Sequence, residues 1–443
     1  MTFFVYIFSF LILISIIVFI HELGHFSFAR LFGVRVLDFS IGFGKSIKSW
    51  ETKSKTIFNL RILPLGGYVQ MNEEEILDNS QSSDSYSSKK YHQKLLIILG
   101  GPIFNFVLAI VIFFIINLFG IYKITPIVGD VLPDSITHEK GIERGDLIIK
   151  IDNTTISSFS EAQLALSKRL GDSGDIEIYL LRDENSFKFD IPINNWMSSE
   201  NPSNLLYEIG IFPPLEPVVG KVLENSSAEQ GGIKSGDKIL AINDFPIIFW
   251  GDIREEINKS NGSESSIRIL RDKKIFDLKL KPSFSENNYN WQLGISSSFE
   301  LSSKAKAIVS YSLSTSLKNS LAQTYSLVES SVLFIGKIIF GQVSVKNLGG
   351  PVMIGQYAGE SVIYGGFYSF FYLIALISIS LGIVNLFPLP VLDGGQALIL
   401  TIEKIIGRDI PTKILEFFYK LGSAFLVFLF LFVFFNDIFR ILG

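Results

Sequence analysis

Four long stretches without a charged residue constrain this chain more than any other feature of its sequence. A helix needs about 20 mostly apolar residues to cross a bilayer, and backbone groups in lipid must be paired within the spanning segment. The stretches are Thr2–Ile20, Leu95–Tyr122, Ser361–Leu392 and the shorter Leu421–Asn436, which Ile414–Phe418 extend. The sequence therefore predicts a polytopic α-helical membrane protein with four transmembrane helices, at about 2–25, 95–121, 366–390 and 414–436.

The first stretch has a second interpretation, a secretory signal peptide. Such a peptide has a basic region before its apolar core and a cleavage site of small residues after it. The chain has neither feature here, and the apolar run continues directly into His21-Glu22-Leu23-Gly24-His25. We therefore expect the first stretch to remain as a transmembrane helix.

Composition excludes several classes of protein and of site. Hydrophobic residues make up 48% of the chain, and its mean hydropathy is +0.38, which is high for a soluble enzyme. The net charge of −4 argues against a nucleic-acid partner. The chain has no cysteine, so it has no disulfide framework and no cysteine-ligated zinc.

Lysine and arginine residues predict which side of the membrane each loop occupies, because cytoplasmic loops near membrane helices carry an excess of them. The segment 26–94 contains many, and the loop before the last stretch contains Lys404, Arg408 and Lys413. No lysine or arginine precedes the first stretch. We therefore expect both loops in the cytoplasm, and both termini and the long middle segment outside it.

The middle segment contains a repeat. Residues 141–146 read Gly-Ile-Glu-Arg-Gly-Asp, residues 232–237 read Gly-Ile-Lys-Ser-Gly-Asp, and each copy is followed by alternating runs typical of half-buried strands. The pair resembles two tandem PDZ domains of the bacterial protease type, which implies two extracytoplasmic α+β domains at 123–214 and 215–298. PDZ domains bind extended peptides at a sheet edge. Peptide binding and steric gating by a spacer both remain open.

The rest of the chain completes the expected organisation. The serine-rich pattern over 299–360 predicts an amphipathic helical region at the outer interface of the membrane rather than a fifth span. The two halves of the membrane core are then 1–122 and 361–443.

The sequence His21-Glu22-x-x-His25 predicts a zinc site. On a helix, the two imidazoles lie on one face, where both can bind one Zn²⁺, and the glutamate between them can take a proton from a bound water. The pattern alone is weak, but it lies at the end of an apolar helix. Ionisable residues at membrane depth are costly and usually functional.

Two histidines require a third protein ligand, with water in the fourth position. His92 and His138 lie in charged, solvated contexts, which makes them poor candidates. Asp393 is the best one, since it ends an uncharged run in which Pro388 and Pro390 break the helix. The alternative is that Asp393 only caps a helix at the membrane boundary.

Taken together, these motifs resemble those of the site-2 protease family. His21-Glu22-x-x-His25 and Asn385-x-x-Pro388-x-Pro390-x-Leu392-Asp393-Gly394 match its two defining motifs, and Gly101-Pro102-x-x-Asn105-Phe106 matches a third. The PDZ pair between the second and third core helices is similar to that of one bacterial branch. The resemblance covers essentially the whole chain.

The resemblance implies roles for individual residues. His21, His25 and Asp393 would bind Zn²⁺, and Glu22 would be the catalytic acid and base. Asn385 and Asn105 would handle substrate, although either amide could instead bridge helices within the bundle.

The resemblance also implies a membrane-associated β-structure after the first helix, formed by the alternating segments 36–44 and 57–62. Gly66 and Gly67 follow these segments and are expected to contact the substrate. An unpaired strand edge there could capture an unwinding substrate helix by strand addition.

By the same resemblance, the substrates are single-span membrane proteins such as a trimmed anti-sigma factor, and possible further substrates are leftover signal peptides. The chain would lie in a bacterial inner membrane, with its active site toward the cytoplasm. Three rival functions remain: an inactive peptide-binding scaffold, a transporter with intramembrane charges, and a membrane-anchored zinc protease of soluble proteins. The intact Glu22 argues against a scaffold, which would not need that carboxylate. The membrane segments lack the internal repeats that many transporters have. The position of Asp393 at the end of an apolar run argues against a site outside the bilayer.

Overall fold

The computed structural model describes residues 2–73, 84–133, 135–198, 204–285, 290–298, 300–302 and 305–442. Residues 74–83, which belong to the segment 26–94 expected in the cytoplasm, therefore lie outside the described residues. Four described helices are long and apolar enough to cross a membrane, which agrees with the expected polytopic membrane protein: Phe4–Leu31, Gly100–Phe119, Gly366–Asn385 and Thr412–Arg440.

The described residues form both helices and strands. The helices are α1 (Thr2–Leu31), α2 (Tyr91–Ile98), α3 (Gly100–Phe119), α4 (Ile136–Glu139), α5 (Phe159–Ser167), α6 (Leu205–Glu208), α7 (Ser227–Gln230), α8 (Trp250–Lys259), α9 (Leu313–Ile339), α10 (Pro351–Tyr364), α11 (Gly366–Asn385), α12 (Asp393–Ile406) and α13 (Thr412–Leu442). The strands are β1 (Val36–Glu51), β2 (Ile57–Met71), β3 (Ile121–Ile124), β4 (Asp130–Val131), β5 (Leu147–Ile151), β6 (Thr154–Thr155), β7 (Gly174–Arg182), β8 (Asn185–Ile193), β9 (Ile211–Phe212), β10 (Val219–Val222), β11 (Lys238–Ile242), β12 (Phe245–Pro246), β13 (Ser265–Arg271), β14 (Lys274–Leu280), β15 (Ser283–Ser285), β16 (Asn290–Gln292), β17 (Ile295–Ser297) and β18 (Lys306–Val309).

The chain divides into two compact units. One comprises Met1–Ile121, Ser310–Ile338 and Ser344–Gly443, and contains the four long apolar helices. The other comprises Tyr122–Val309 with Ile339–Val343, and contains the repeat.

The first unit is a helical bundle. Its core joins Leu13 and Ile17 of α1, Phe113 of α3 and Ile374 of α11, all of them buried. Large apolar side chains on the opposite faces of these helices, such as Phe8, are exposed. Exposed apolar surface of this extent suits lipid rather than water.

The four apolar helices have different bounds from the expected spans. The first continues to Leu31 rather than ending near 25, and the fourth covers Thr412–Arg440. The second begins at Gly100, because the helix is interrupted at Leu99 between α2 and α3. The third ends at Asn385 rather than near 390. A proline at 388 would clash with the carbonyl four residues earlier, so α11 cannot continue through it.

A long hairpin of β1 and β2 follows α1. The two strands pair antiparallel with several register shifts, and Phe39 packs edge-on against Phe26 of α1 at a centroid distance of 5.6 Å. The hairpin also carries exposed apolar side chains, including Phe43, Trp50 and Ile62. The hairpin is therefore anchored to α1 on one side and presents apolar surface on the other.

In the second unit, two successive segments fold alike. The sheets have the orders β6-β5-β7-β8 and β12-β11-β13-β14, with every neighbouring pair antiparallel. Each sheet is accompanied by one longer helix, α5 in the first copy and α8 in the second.

The Gly-Asp pairs of the repeat have the same structural role in both copies. Gly145 and Gly236 have φ values of +93° and +87°, in the left-handed region that favours glycine. The aspartates that follow, Asp146 and Asp237, are fully buried. This turn explains why the sequence signature recurs.

Candidate metal centre and catalytic site

Two histidines of α1 form the first part of the site. His21 and His25 lie one helical turn apart, and their Nε2 atoms are 3.3 Å from each other. Both side chains are largely buried, with 12% of their surface exposed. Positions i and i+4 share one helix face, so this pair follows directly from the local sequence.

Asp393 completes the cluster from a distant part of the chain. It is the first residue of α12, and its Oδ2 lies 3.3 Å from Nε2 of His21 and 3.6 Å from Nε2 of His25. Oδ2 is buried and makes no hydrogen bond with any described group. A buried carboxylate oxygen that faces two imidazole nitrogens is an arrangement suited to a bound cation.

The spacing of the three donor atoms fits zinc. With zinc–ligand bonds of about 2.0–2.1 Å and tetrahedral angles, two ligand atoms lie about 3.3 Å apart. The separations of 3.3, 3.3 and 3.6 Å match that value closely. Within the described ranges, these three residues are the one group of three or more His, Cys, Asp or Glu side chains close enough to hold a metal. His92 and His138 are exposed, as expected for solvated residues.

The loop before Asp393 is held by a tight turn that includes Pro388 and Pro390. A Cβ on Gly394 would lie 2.2 Å from the carbonyl oxygen of Leu386, and one on Gly395 would lie 2.0 Å from that of Leu389. Only glycine leaves room for the loop to fold back on the first turn of α12. This turn directs Asp393 toward α1.

A close helix crossing brings α3 against the histidines. A Cβ on Gly24 would lie 2.1 Å from the carbonyl oxygen of Gly100, and one on Gly101 would lie 2.5 Å from Nε2 of His25 and 2.6 Å from that of His21. Gly101 therefore forms one wall of the candidate metal centre. Gly101 belongs to a sequence motif from which no role was predicted for it, and the Gly100-Gly101 pair at a helix start was the available signal.

The second ring nitrogen of each histidine also has a partner. Nδ1 of His25 lies 2.9 Å from the backbone oxygen of Ile97, in the last turn of α2. Nδ1 of His21 lies 3.2 Å from the side-chain nitrogen of Asn105 on α3. Each histidine is therefore held through Nδ1 by a group that is not part of the three-residue cluster, and its Nε2 atom faces the other members of the cluster.

Glu22 lies between the two histidines in sequence and is 8% exposed. Its carboxylate makes no hydrogen bond with any described residue. A Cβ on Gly67 would lie 2.7 Å from the Cγ of Glu22, so strand β2 passes directly against this side chain. The structure therefore brings together Glu22 and one of the two glycines expected to contact substrate.

Of the remaining expected site residues, Gly66 and Asn385 lie outside this group of contacts and Asn105 lies within it. Gly66 packs on the ring of Phe43 rather than on α1. Asn385 is the last residue of α11, half-buried, and its amide makes no hydrogen bond with the described part of the chain. Asn105 is fully buried beside His21, a position that suits contact with the histidine better than contact with a substrate.

Comparison with known proteins adds to this geometry. The model of peptidase family M50 matches residues 9–429. The chain is 34% identical to the regulator of sigma E protease of Haemophilus influenzae over 98% of both chains. It is 33% identical to protease RseP of Yersinia pestis and 32% identical to the regulator of sigma-E protease RseP of Escherichia coli, again over 98% of each chain.

Proposed function

Because the chain belongs to peptidase family M50, as a zinc metalloprotease of the site-2 type, we propose that it cleaves single-span membrane proteins within the bilayer. The observation that carries this proposal is the orphaned Oδ2 of Asp393, 3.3 and 3.6 Å from two imidazole nitrogens at the end of an apolar helix. A buried triad of that geometry next to an unpaired glutamate is suited to metal-assisted hydrolysis.

In this proposal, His21, His25 and Asp393 hold Zn²⁺ and Glu22 is the general base. Bound zinc makes water more acidic, with a pKa of about 7, and polarises a carbonyl oxygen. Glu22 accepts a proton from the attacking water and passes it to the amide nitrogen as that nitrogen leaves. The free carboxylate of Glu22 and its burial against Gly67 hold this proton carrier close to the reacting bond.

The substrate would meet the site along β2. A peptide bond within a helix is shielded by the hydrogen bonds of that helix, so the substrate must unwind before attack. Pairing with a strand edge stabilises an unwound peptide through backbone hydrogen bonds. Gly67 lies on β2 against Glu22, which places the strand next to the catalytic carboxylate. Gly66 on the same strand and Asn385 at the end of α11 would add further contacts to the substrate.

The two copies of the repeat would act as extracytoplasmic PDZ domains. Their shared sheet order supports a duplicated domain, and the sequence places them between the second and third membrane helices. They would exclude substrates with bulky external domains, so a first cut by another protease would precede this one. The names of the relatives above refer to regulation of sigma E, which supports a role in that pathway. In this proposal the substrate is an anti-sigma factor and the location is the bacterial inner membrane. Remnant signal peptides are a second substrate class.

Cleavage of a purified single-span substrate with a truncated external domain tests the proposal. The intact protein is compared with Glu22→Gln, and Glu139→Gln, an exposed glutamate of the repeat unit, is the matched control. We expect one equivalent of zinc in all three proteins, and cleavage within the span by the intact protein and the control alone. A substrate with its full external domain should be cut much more slowly.

Two results would contradict the proposal. If the intact protein and Glu22→Gln cut equally well, Glu22 is not the base and the catalytic assignment fails. If the intact protein holds zinc but cuts no truncated single-span substrate, the scaffold reading replaces the protease reading.

A further inference from the structure

Asn105 occupies an unusual place in the bundle. Its side chain is 0% exposed, and its amide nitrogen lies 3.2 Å from Nδ1 of His21. Its Oδ1 is also buried and has no hydrogen-bond partner among the described groups. Buried polar atoms are nearly always paired, so this unpaired oxygen calls for an explanation.

The chemistry of a metal-bound histidine supplies one. A neutral imidazole that offers Nε2 to a metal carries its proton on Nδ1, so Nδ1 is a donor. At His25 this requirement is met, because the carbonyl oxygen of Ile97 can only accept. At His21 the neighbouring group must also accept, and an amide nitrogen cannot.

A half-turn of the Asn105 amide resolves the mismatch. The amide oxygen and nitrogen are nearly the same size, and their assignment follows from the hydrogen bonds they make. With Oδ1 toward His21, the asparagine accepts a hydrogen bond from Nδ1–H across the same 3.2 Å separation. The amide nitrogen then occupies the buried position that has no partner among the described groups. The two histidines then have equivalent surroundings. In each, Nδ1–H donates to an oxygen atom and Nε2 faces Asp393.

We propose that Asn105 is a positioning residue that holds His21 in the tautomer and ring orientation required to bind zinc through Nε2. This inference rests on the proposed metal centre. Partners of this kind typically change metal affinity by about 10- to 100-fold when they are removed. Asn105 acts through His21 and is too deeply buried to contact a substrate.

The same helix offers a matched control. Asn117 is also on α3, is also buried and donates to the backbone oxygen of Phe113. It makes no contact with the histidines. Replacing either asparagine by leucine removes an amide from the core of the bundle, but only one replacement removes the partner of His21.

The test is the zinc dissociation constant of the full-length protein in detergent, measured by competition with a chelator. We expect Asn105→Leu to weaken zinc binding by about 10- to 100-fold, and Asn117→Leu to leave it unchanged. Asn105→Asp keeps an oxygen opposite Nδ1, so it should bind zinc within a few-fold of the intact protein. Thermal unfolding of the metal-free proteins shows whether each variant is folded.

Three results would overturn the inference: wild-type zinc affinity in folded Asn105→Leu, an equal loss in Asn117→Leu, or a loss in folded Asn105→Asp as large as that in Asn105→Leu. If the intact protein itself binds no zinc, the proposed metal centre fails instead. The two failures are therefore distinguishable.

Discussion

At the scale of single residues, the candidate metal centre depends on glycines, where a side chain is missing. Gly24 and Gly100 allow α1 to touch the start of α3, and Gly101 lies directly against both imidazoles. Any Cβ at these positions would overlap backbone or ring atoms. Neighbouring atoms have no free space into which they could move away from an added side chain, because protein interiors are packed as densely as organic crystals.

Gly101→Ala should therefore damage the metal centre. The added methyl group would lie 2.5–2.6 Å from the Nε2 atoms of His21 and His25, so one ring must move. Zinc sites tolerate shifts of about 0.2 Å in ligand distance. We expect zinc affinity to fall by at least about 10-fold, the lower end of the loss seen for perturbed ligand surroundings, as measured by chelator competition.

Gly336→Ala is the control for this substitution. Gly336 lies on α9, and nothing lies within 4 Å of a Cβ built there. Zinc affinity should not change in this variant. Wild-type affinity in Gly101→Ala would show that the centre can relax around the methyl group and would contradict the argument from packing.

At the scale of elements, each repeat contains an ion pair between a buried aspartate and a partly exposed arginine. Arg271 at the end of β13 donates to both carboxylate oxygens of Asp237 at 2.6 Å and to the backbone oxygen of Gly232. Arg182 makes the same three contacts with Asp146 and Gly141 in the first copy. The pair joins the Gly-Asp turn to the end of a central strand.

Removal of one partner should destabilise the second repeat. Arg271→Ala would leave the fully buried carboxylate of Asp237 without its cation, which typically costs about 3–5 kcal/mol. Arg268→Ala on the same strand breaks an exposed pair with Asp277 and should cost under about 1 kcal/mol. Denaturant-dependent proteolysis of the full-length protein measures both. An equal loss of unfolding free energy in the two variants would show that the pair with Asp237 is no more important than the exposed pair with Asp277.

A different ion pair connects the first repeat to the second. Arg254 of α8 donates to both carboxylate oxygens of Asp130 in β4, at 2.7 and 2.6 Å. Burial raises the pKa of Asp130 above its ordinary value, more than Arg254 lowers it. The ionised form is therefore less favourable in the folded protein than in the unfolded chain.

The sign of this pKa shift gives a prediction. The cost of the ionised Asp130 is present in full above its folded pKa, and it declines as the pH falls from that value toward the lower pKa of the unfolded chain. Arg254→Ala removes the main interaction that lowers the pKa of Asp130. We therefore expect this variant to be less stable than the intact protein at pH 7 and to regain part of the lost stability at pH 5. Proteolysis at the two pH values provides the measurement. The double variant Asp130→Asn/Arg254→Ala should lack the recovery, and a recovery that persists in it would exclude Asp130 as the cause.

At the scale of the whole molecule, the distribution of positive charge predicts an orientation. The loop that contains Lys53 should face the cytoplasm, and the repeat unit, which contains Glu184, should lie outside. The chain has no cysteine, so single cysteines can be introduced without further changes. Both positions are exposed in the structure.

Labelling of intact spheroplasts with a membrane-impermeant maleimide tests this orientation. Glu184→Cys should react at once, and Lys53→Cys only after the membrane is permeabilised. The reverse pattern would invert the topology, and with it the assignment of the repeats to the outside.

Features that depend only on short stretches of chain could be predicted from the amino-acid sequence. Uncharged runs of sufficient length specify helices in lipid, because each backbone group is satisfied within its own segment. The spacing of His21 and His25 specifies a shared helix face, and the repeated Gly-Asp signature specifies a repeated turn. Each of these conclusions needs only neighbouring residues and the period of a helix or strand.

Contacts between residues far apart in the chain could not be predicted in this way, because they depend on tertiary packing. The sequence suggested Asp393 because a third ligand was needed, but its distance of 3.3 Å from His21 follows from the packing of α12 against the start of the bundle. The wall formed by Gly101, the approach of β2 to Glu22 and the pairing of Asn105 with His21 have the same origin. Such contacts depend on how helices and strands cross, and that is set by the close packing of the whole bundle rather than by any local pattern.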